Sequence, residues 1–224
     1  MSGGSGTQGH VDQPTSVLTA TFAGGGEVGI YDDSVVRFDG NTLTGGPHLY
    51  VQSRAAAHEV TNNVIEGTLA YAINSHGDLT VISGNRISDP GEAGIRIRNG
   101  SATVAGNRVS GAQSGIRAAG GTADIVGNIL VGNDVGINGM EIPVVQGNTV
   151  RDGLAGIQVS GGDVVIDGNV VEGNSGSGLS LGAATTATLT DNVICGNGEN
   201  LTLIGDAEPQ IDDSNEICED APAE

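Results

Sequence analysis

The stretch 83–97, SGNRISDPGEAGIRI, returns in altered form at 105–119 as AGNRVSGAQSGIRAA. The two align with an offset of 22 residues at Gly-Asn-Arg and 21 at Gly-Ile-Arg, and both carry a branched aliphatic residue two places after the Asn. Followed outward in both directions, the Asn recurs at Asn41, Asn63, Asn85, Asn107, Asn128, Asn148, Asn169, Asn192 and Asn215, at spacings of 20 to 23 residues. Such a fixed period is the signature of a repeat architecture.

Three apolar rows accompany the Asn row. Two residues after each Asn stand Leu43, Ile65, Ile87, Val109, Leu130, Val150, Val171, Ile194 and Ile217. Three residues before it stand Phe38, Val60, Ile82, Val104, Ile125, Val145, Ile166 and Leu189, a row interrupted at Asp212. Nine or ten residues after it stand Val51, Ile73, Ile95, Ile116, Ile137, Ile157, Leu179 and Leu201, usually preceded by Gly. Three inward rows joined by Gly-rich turns imply three faces: an all-β, right-handed, single-stranded parallel β-helix of about nine coils, equivalent residues stacking about 4.8 Å apart. Leucine-rich repeats share the period but need Leu-x-x-Leu-x-Leu and a helical half, which this chain lacks.

Composition agrees with a narrow solenoid. There are 39 Gly, no Trp and 2% aromatic residues, so the core must be thin and aliphatic. The expected organisation is a flexible lead-in over residues 1–26, the β-helix over 27–218 and an acidic tail over 219–224. The start has no basic n-region, and 17–23 is too short and too polar to span a membrane. Eight basic residues, all Arg, face 27 carboxylates for a net charge of −19, which argues against nucleic acid as a partner. A salt-adapted source would also explain that acidity.

The Asn row has a structural reading: Asn tolerates the left-handed backbone of a tight corner, and its amide can donate to and accept from the next Asn in the stack. Asn41, Asn63, Asn85, Asn107, Asn128, Asn148, Asn169 and Asn192 are therefore expected to form a ladder. Cys195 and Cys218 each follow a register Asn by three residues, so consecutive coils should bring them within bridging distance. The alternative is a pair of free thiols in a reducing compartment. A bridge would point to an extracellular, cell-surface or periplasmic location.

The Gly-Ile and Val/Ile-x-x-Gly-Asn-x-Val/Ile strings resemble the pectate-lyase-like right-handed β-helix superfamily over about residues 28–218, and in texture its NosD-like repeat proteins. The resemblance implies the fold, and a choice among polyuronate lyases, hydrolases, C5-epimerases, adhesins and noncatalytic repeats. Of polygalacturonase motifs, Arg96-Ile97-Arg98 echoes one, Asp32-Asp33 stands out of order, and the His motif is missing. Asp89-Pro90-Gly91-Glu92 resembles an epimerase motif without its His, and Pro-Gly between polar residues is also ordinary turn composition.

Position along the third strand supplies the candidate site. One residue past the inward aliphatic come Gln52, Asn74, Arg96, Arg117, Asn138 and Gln158; two further on come Arg54, His76, Arg98, Ala119, Met140 and Ser160. If the strands alternate, these point outward and gather four of eight arginines on one face. Arg54, Arg96, Arg98 and Arg117 with Asn74 and Asn138 suit the carboxylates and hydroxyls of an anionic polysaccharide. His76, flanked by arginines, is the candidate general base at a uronate C5. The bland reading has the arginines paired with Asp78, Asp89 or Glu92. No cofactor is expected: Asp124, Asp134, Glu141, Asp163 and Asp167 are scattered, which leaves calcium unsupported. Three Tyr and two Phe look too few for a sugar-stacking platform.

Overall fold

The computed structural model describes residues 16–18, 20–31, 35–52, 57–77 and 79–220, so expectations that fall on residues 1–15, 19 and 221–224, on Arg54 and on Asp78 lie outside it. Each coil contributes three short strands, and stacking the coils builds three parallel sheets of ten, ten and nine strands. No helix occurs among the described residues.

Period becomes register directly. Ile65 pairs with Ile87, Ile87 with Val109, Val109 with Leu130 and Leu130 with Val150 along the second sheet. Phe38, Val60, Ile82, Val104, Ile125 and Val145 do the same along the first. These side chains are buried and form one continuous cluster, in which each coil covers the apolar layer of the next. Alternation along the third sheet is equally clear: Arg117 is exposed between buried Ile116 and Ala118.

The Gly that precedes the third-row aliphatic has a packing cause. A methyl group added at Gly136 or Gly156 would overlap Val150 Cγ1 or Val171 Cγ1, inward side chains of the second sheet.

Three details of register differ from the sequence reading. The Asn ladder does form, but from Asn41 to Asn192 the left-handed backbone belongs to the residue before the Asn: Gly40, Gly84, Gly106, Gly127, Gly147 and Gly168 have φ between 62° and 66°, and Asn62 and Asp191 take φ 54° and 52°. The ladder Asn sits just past the corner, where its amide is aimed along the stack. Leu49, not Val51, pairs with Ile73, and Ile211, not Asp212, lies under Leu189, because the chain between equivalent strands changes length at both places.

The chain boundaries also shift. Ser16–Leu18 pairs with Val36–Asp39, and Thr21–Ala23 with Thr42–Thr44, inside the stretch read as lead-in. In that coil Ala20 occupies the ladder position, its N–H donating to Asn41 Oδ1 at 2.6 Å, so a count of asparagines passes over it. At the other end Asp220, within the expected tail, accepts the Asn200 N–H at 2.7 Å.

Candidate functional site: the outer face of the third sheet

Among the polar features, the Asn ladder is a stabilising element. Each Oδ1 accepts two bonds from the preceding coil, as Asn107 does from the Asn85 N–H at 3.0 Å and Asn85 Nδ2 at 2.9 Å. Each Nδ2 donates onward, as Asn107 does to Asn128 Oδ1 at 3.0 Å, and back to a strand carbonyl, here Ile82 at 2.9 Å. The chain of bonds runs from Asn41 through Asn63, Asn85, Asn107, Asn128, Asn148, Asn169 and Asn192 to Asn215. With donors and acceptors satisfied, the side chains from Asn41 to Asn192 stay buried, and Asn215 at the end is half-buried.

A second set of buried asparagines escaped the sequence reading. Asn174 donates to Asn197 Oδ1 at 2.8 Å, and Asn197 to Asn200 Oδ1 at 3.1 Å, while Asn133 accepts the Ala112 N–H at 3.0 Å. The signal was the Gly-Asn five residues after Asn128, Asn169 and Asn192. It repeats in only some coils, which hid it.

Cys195 and Cys218 are joined by a disulfide with Cα atoms 4.9 Å apart, pinning the last coil to the one before. Among the described residues, the only convergent group of metal-ligating types is Cys195, Glu216 and Cys218, whose thiols are already spent in that bridge. Asp167 accepts from Thr190 Oγ1 at 2.6 Å and Gln146 Nε2 at 2.8 Å, and these bonds hold its carboxyl below the usual range.

The third sheet carries two outward columns. The first reads Gly29, Tyr50, Asn74, Arg96, Arg117, Asn138, Gln158 in register. The second reads Tyr31, Gln52, His76, Arg98, Ala119, and further on Met140 beside Ser160. Because Leu49 pairs with Ile73, the neighbour of Asn74 is Tyr50 and the neighbour of His76 is Gln52. The expectation that Gln52 neighbours Asn74 is therefore corrected by two residues, while Arg54 lies outside the described residues.

Arg96, Arg98 and Arg117 lie together on consecutive coils, Arg96 against Arg117 and Arg98 against His76. Among the described residues no carboxylate comes within ion-pair distance of them; the arginines that do pair are Arg37 with Glu59 and Arg151 with Asp152. Pairing with Asp89 or Glu92 is thus excluded. The Glu92 carboxylate instead faces the Tyr71 hydroxyl and raises its pKa, and Arg96 stacks over the Tyr71 ring with its guanidinium carbon 4.5 Å from the centroid. That contact fixes the Arg96 fork without neutralising it. Arg86 and Arg108 stack in register on the second sheet.

Asn74 is only 9% exposed, and its Oδ1 lacks a partner. Asn138 is half-buried. The His76 pKa is lowered from 6.5, first by desolvation and then by Arg98 and Arg96, so the imidazole is neutral at pH 7.

All three tyrosines come to this same face, which composition alone did not suggest. Tyr31 and Tyr50 have ring centroids 5.4 Å apart, and Tyr50 and His76 the same. The Tyr31 hydroxyl donates to Glu27 Oε1, which pushes its pKa up to about 12, and Glu27 Oε2 lies 3.3 Å from His48 Nε2. The face therefore changes along the axis: aromatic and acidic on the first two coils, amide and neutral imidazole on the third, cationic on the next two, amide and hydroxyl beyond. A recess of about 360 Å³ between Leu79, Val81, Thr103 and Asp124 lies on the first sheet and gathers one titratable group.

Three parallel sheets wound by one strand per face per coil define a parallel β-helix. A family model described as "Right handed beta helix region" matches the chain twice, over residues 12–140 and 71–215, and the chain belongs to that family. None of the curated proteins matches it. No helix of the described residues is long and apolar enough to cross a membrane.

Proposed function

We propose that the chain is a noncatalytic binding module of a larger envelope or secreted protein, holding an anionic polysaccharide along the outer face of the third sheet. One observation carries the reading: Arg96, Arg98 and Arg117 lie side by side without a carboxylate partner among the described residues, in a chain of net charge −19. Adjacent like charges repel. Their forks are free to take carboxylates bidentately, and Asn138 and Gln158 beyond them suit hydroxyls. The disulfide supports an oxidising compartment: extracellular, cell-surface or periplasmic.

A glycan array run on wild type and on Arg96→Ala/Arg117→Ala tests the reading. Uronate-bearing glycans should bind the wild type and lose most of that affinity in the double variant. Binding that survives both substitutions refutes it.

A second reading, a polyuronate lyase or C5-epimerase, is favoured by the neutral His76 set against Arg98 and Arg96. A neutral imidazole can take the C5 proton while a guanidinium stabilises the enolate-like charge. Unsaturated uronate or epimerised product formed by wild type and not by His76→Gln would establish it; no product from polyuronates would remove it.

A further inference from the structure

The aromatic end of the face has a built geometry of its own. The Tyr31 ring folds back against its own strand at Gly29, so closely that a methyl group there would overlap the ring edge at Cε2. Its hydroxyl is tied to Glu27, and its flank is set by Tyr50, with the two rings tilted 37° to each other. The ring is thus held at its hydroxyl, at one edge and at its flank, and the side chain remains 52% exposed. With Tyr50 beside it and His76 beyond, this exposed and positioned ring forms a small ring-lined patch at one end of an otherwise polar face.

We infer that this ring is a shelf for the C–H face of an uncharged pyranose, so that the ligand is an acidic heteroglycan read in two parts: a neutral sugar on Tyr31 and Tyr50, and a carboxylate-bearing sugar on Arg96, Arg98 and Arg117. The inference rests on the polysaccharide reading above and deepens it. The apolar face of a pyranose gains by covering an aromatic ring, which keeps its own edge for polar contacts. Glu27 stands at the shelf and would repel a uronate there, whereas its carboxylate, His48 and Gln52 suit sugar hydroxyls. The cationic coils begin three steps further on, about 14 Å along the axis at about 4.8 Å per coil. An extended chain of a few sugars spans that distance, and the charge order fixes its direction.

Gly29→Ala isolates the shelf, because it keeps every charge and every tyrosine but pushes the Tyr31 ring off the strand. Gly29 has no left-handed φ, so the backbone accepts Ala there. Tyr31→Ala is the second variant. Calorimetric titration would use three probes: an oligosaccharide alternating uronate with neutral hexose, a homo-oligouronate, and inorganic polyphosphate as a charge-only ligand. The expected result is that wild type prefers the alternating oligosaccharide. Both shelf variants should lose about five- to tenfold affinity for it, with polyphosphate binding unchanged.

If both shelf variants bind the alternating probe like wild type while Arg96→Ala/Arg117→Ala weakens it, the shelf is overturned and the arginine site stands. A wild type that prefers the homo-oligouronate likewise overturns the neutral-sugar assignment alone. No uronate binding by wild type, or none lost in the arginine variant, overturns both.

Discussion

Substituting Asn107 by Ala removes one rung from the middle of the ladder, and the structure says which groups are orphaned. The Asn85 N–H loses its acceptor, and the Ile82 carbonyl loses the side-chain donor that reaches it at 2.9 Å. Asn85 Nδ2 keeps its bond to the Val60 carbonyl, and Asn128 Oδ1 keeps the Asn107 N–H, so neither is fully stripped. Two buried backbone groups left without these partners, at about 1–3 kcal/mol each, give a cost of about 4 kcal/mol. Asn107→Asp separates the chemistry from the shape. It keeps an acceptor but aims a carboxylate at Asn128 Oδ1 and the Ile82 carbonyl, both acceptors. That carboxyl would titrate above its unfolded value of about 3.9, so the variant should lose stability as pH rises through the window above that value, whereas Asn107→Ala shows no such slope. Denaturant unfolding followed by far-ultraviolet circular dichroism measures both. Asn138→Ala, on the outer face, should stay within about 0.5 kcal/mol of wild type. A cost for Asn107→Ala no larger than that of Asn138→Ala would refute the view that the ladder holds the coils together.

Reducing the Cys195–Cys218 bridge, which closes a loop of 23 residues, should destabilise the last coil by about 3 kcal/mol, read as faster hydrogen exchange over 208–218 with the central coils unchanged. The His76 pKa is depressed in the fold, so its contribution to stability is present above pH 6.5 and is lost as pH falls through the folded value. Proton NMR of the imidazole should show titration below 6.5, moving upward in Arg98→Ala; a shift downward or none would remove the arginine as a cause. Alkaline difference spectroscopy should find one tyrosine titrating near 12, and Glu27→Gln should bring it back toward 10. Gly136→Ala should cost about 1–3 kcal/mol or more, because its methyl overlaps Val150 and lies 2.8 Å from the Gly156 carbonyl.

The fold was legible because a solenoid writes its contacts into the sequence at a fixed spacing: a residue such as Ile87 meets Ile65 and Val109, and the same demand recurs on every coil. Features that do not recur were read poorly. The coil at Ser16–Ala23 was missed because Ala20 stands where the others have Asn. Asn74 was placed next to Gln52 rather than Tyr50 because one strand connection differs in length by two residues. The tyrosine shelf could not be read from composition, since Tyr31 and Tyr50 look sparse along the chain and meet only once it is wound.

The same physics explains why function would collect on this face. Inward positions are held by the need to stack identical layers, and corner positions by left-handed backbone and the Asn bonds, so neither can vary from coil to coil without loss. The strands of the second sheet are mostly three residues long and offer little outward surface, whereas those of the third run to five or six. On the third sheet each coil presents two outward side chains that packing does not dictate. A change from tyrosine to arginine to amide along those columns is therefore information the fold does not require, and a ligand extended along the axis is the kind of object that would read it.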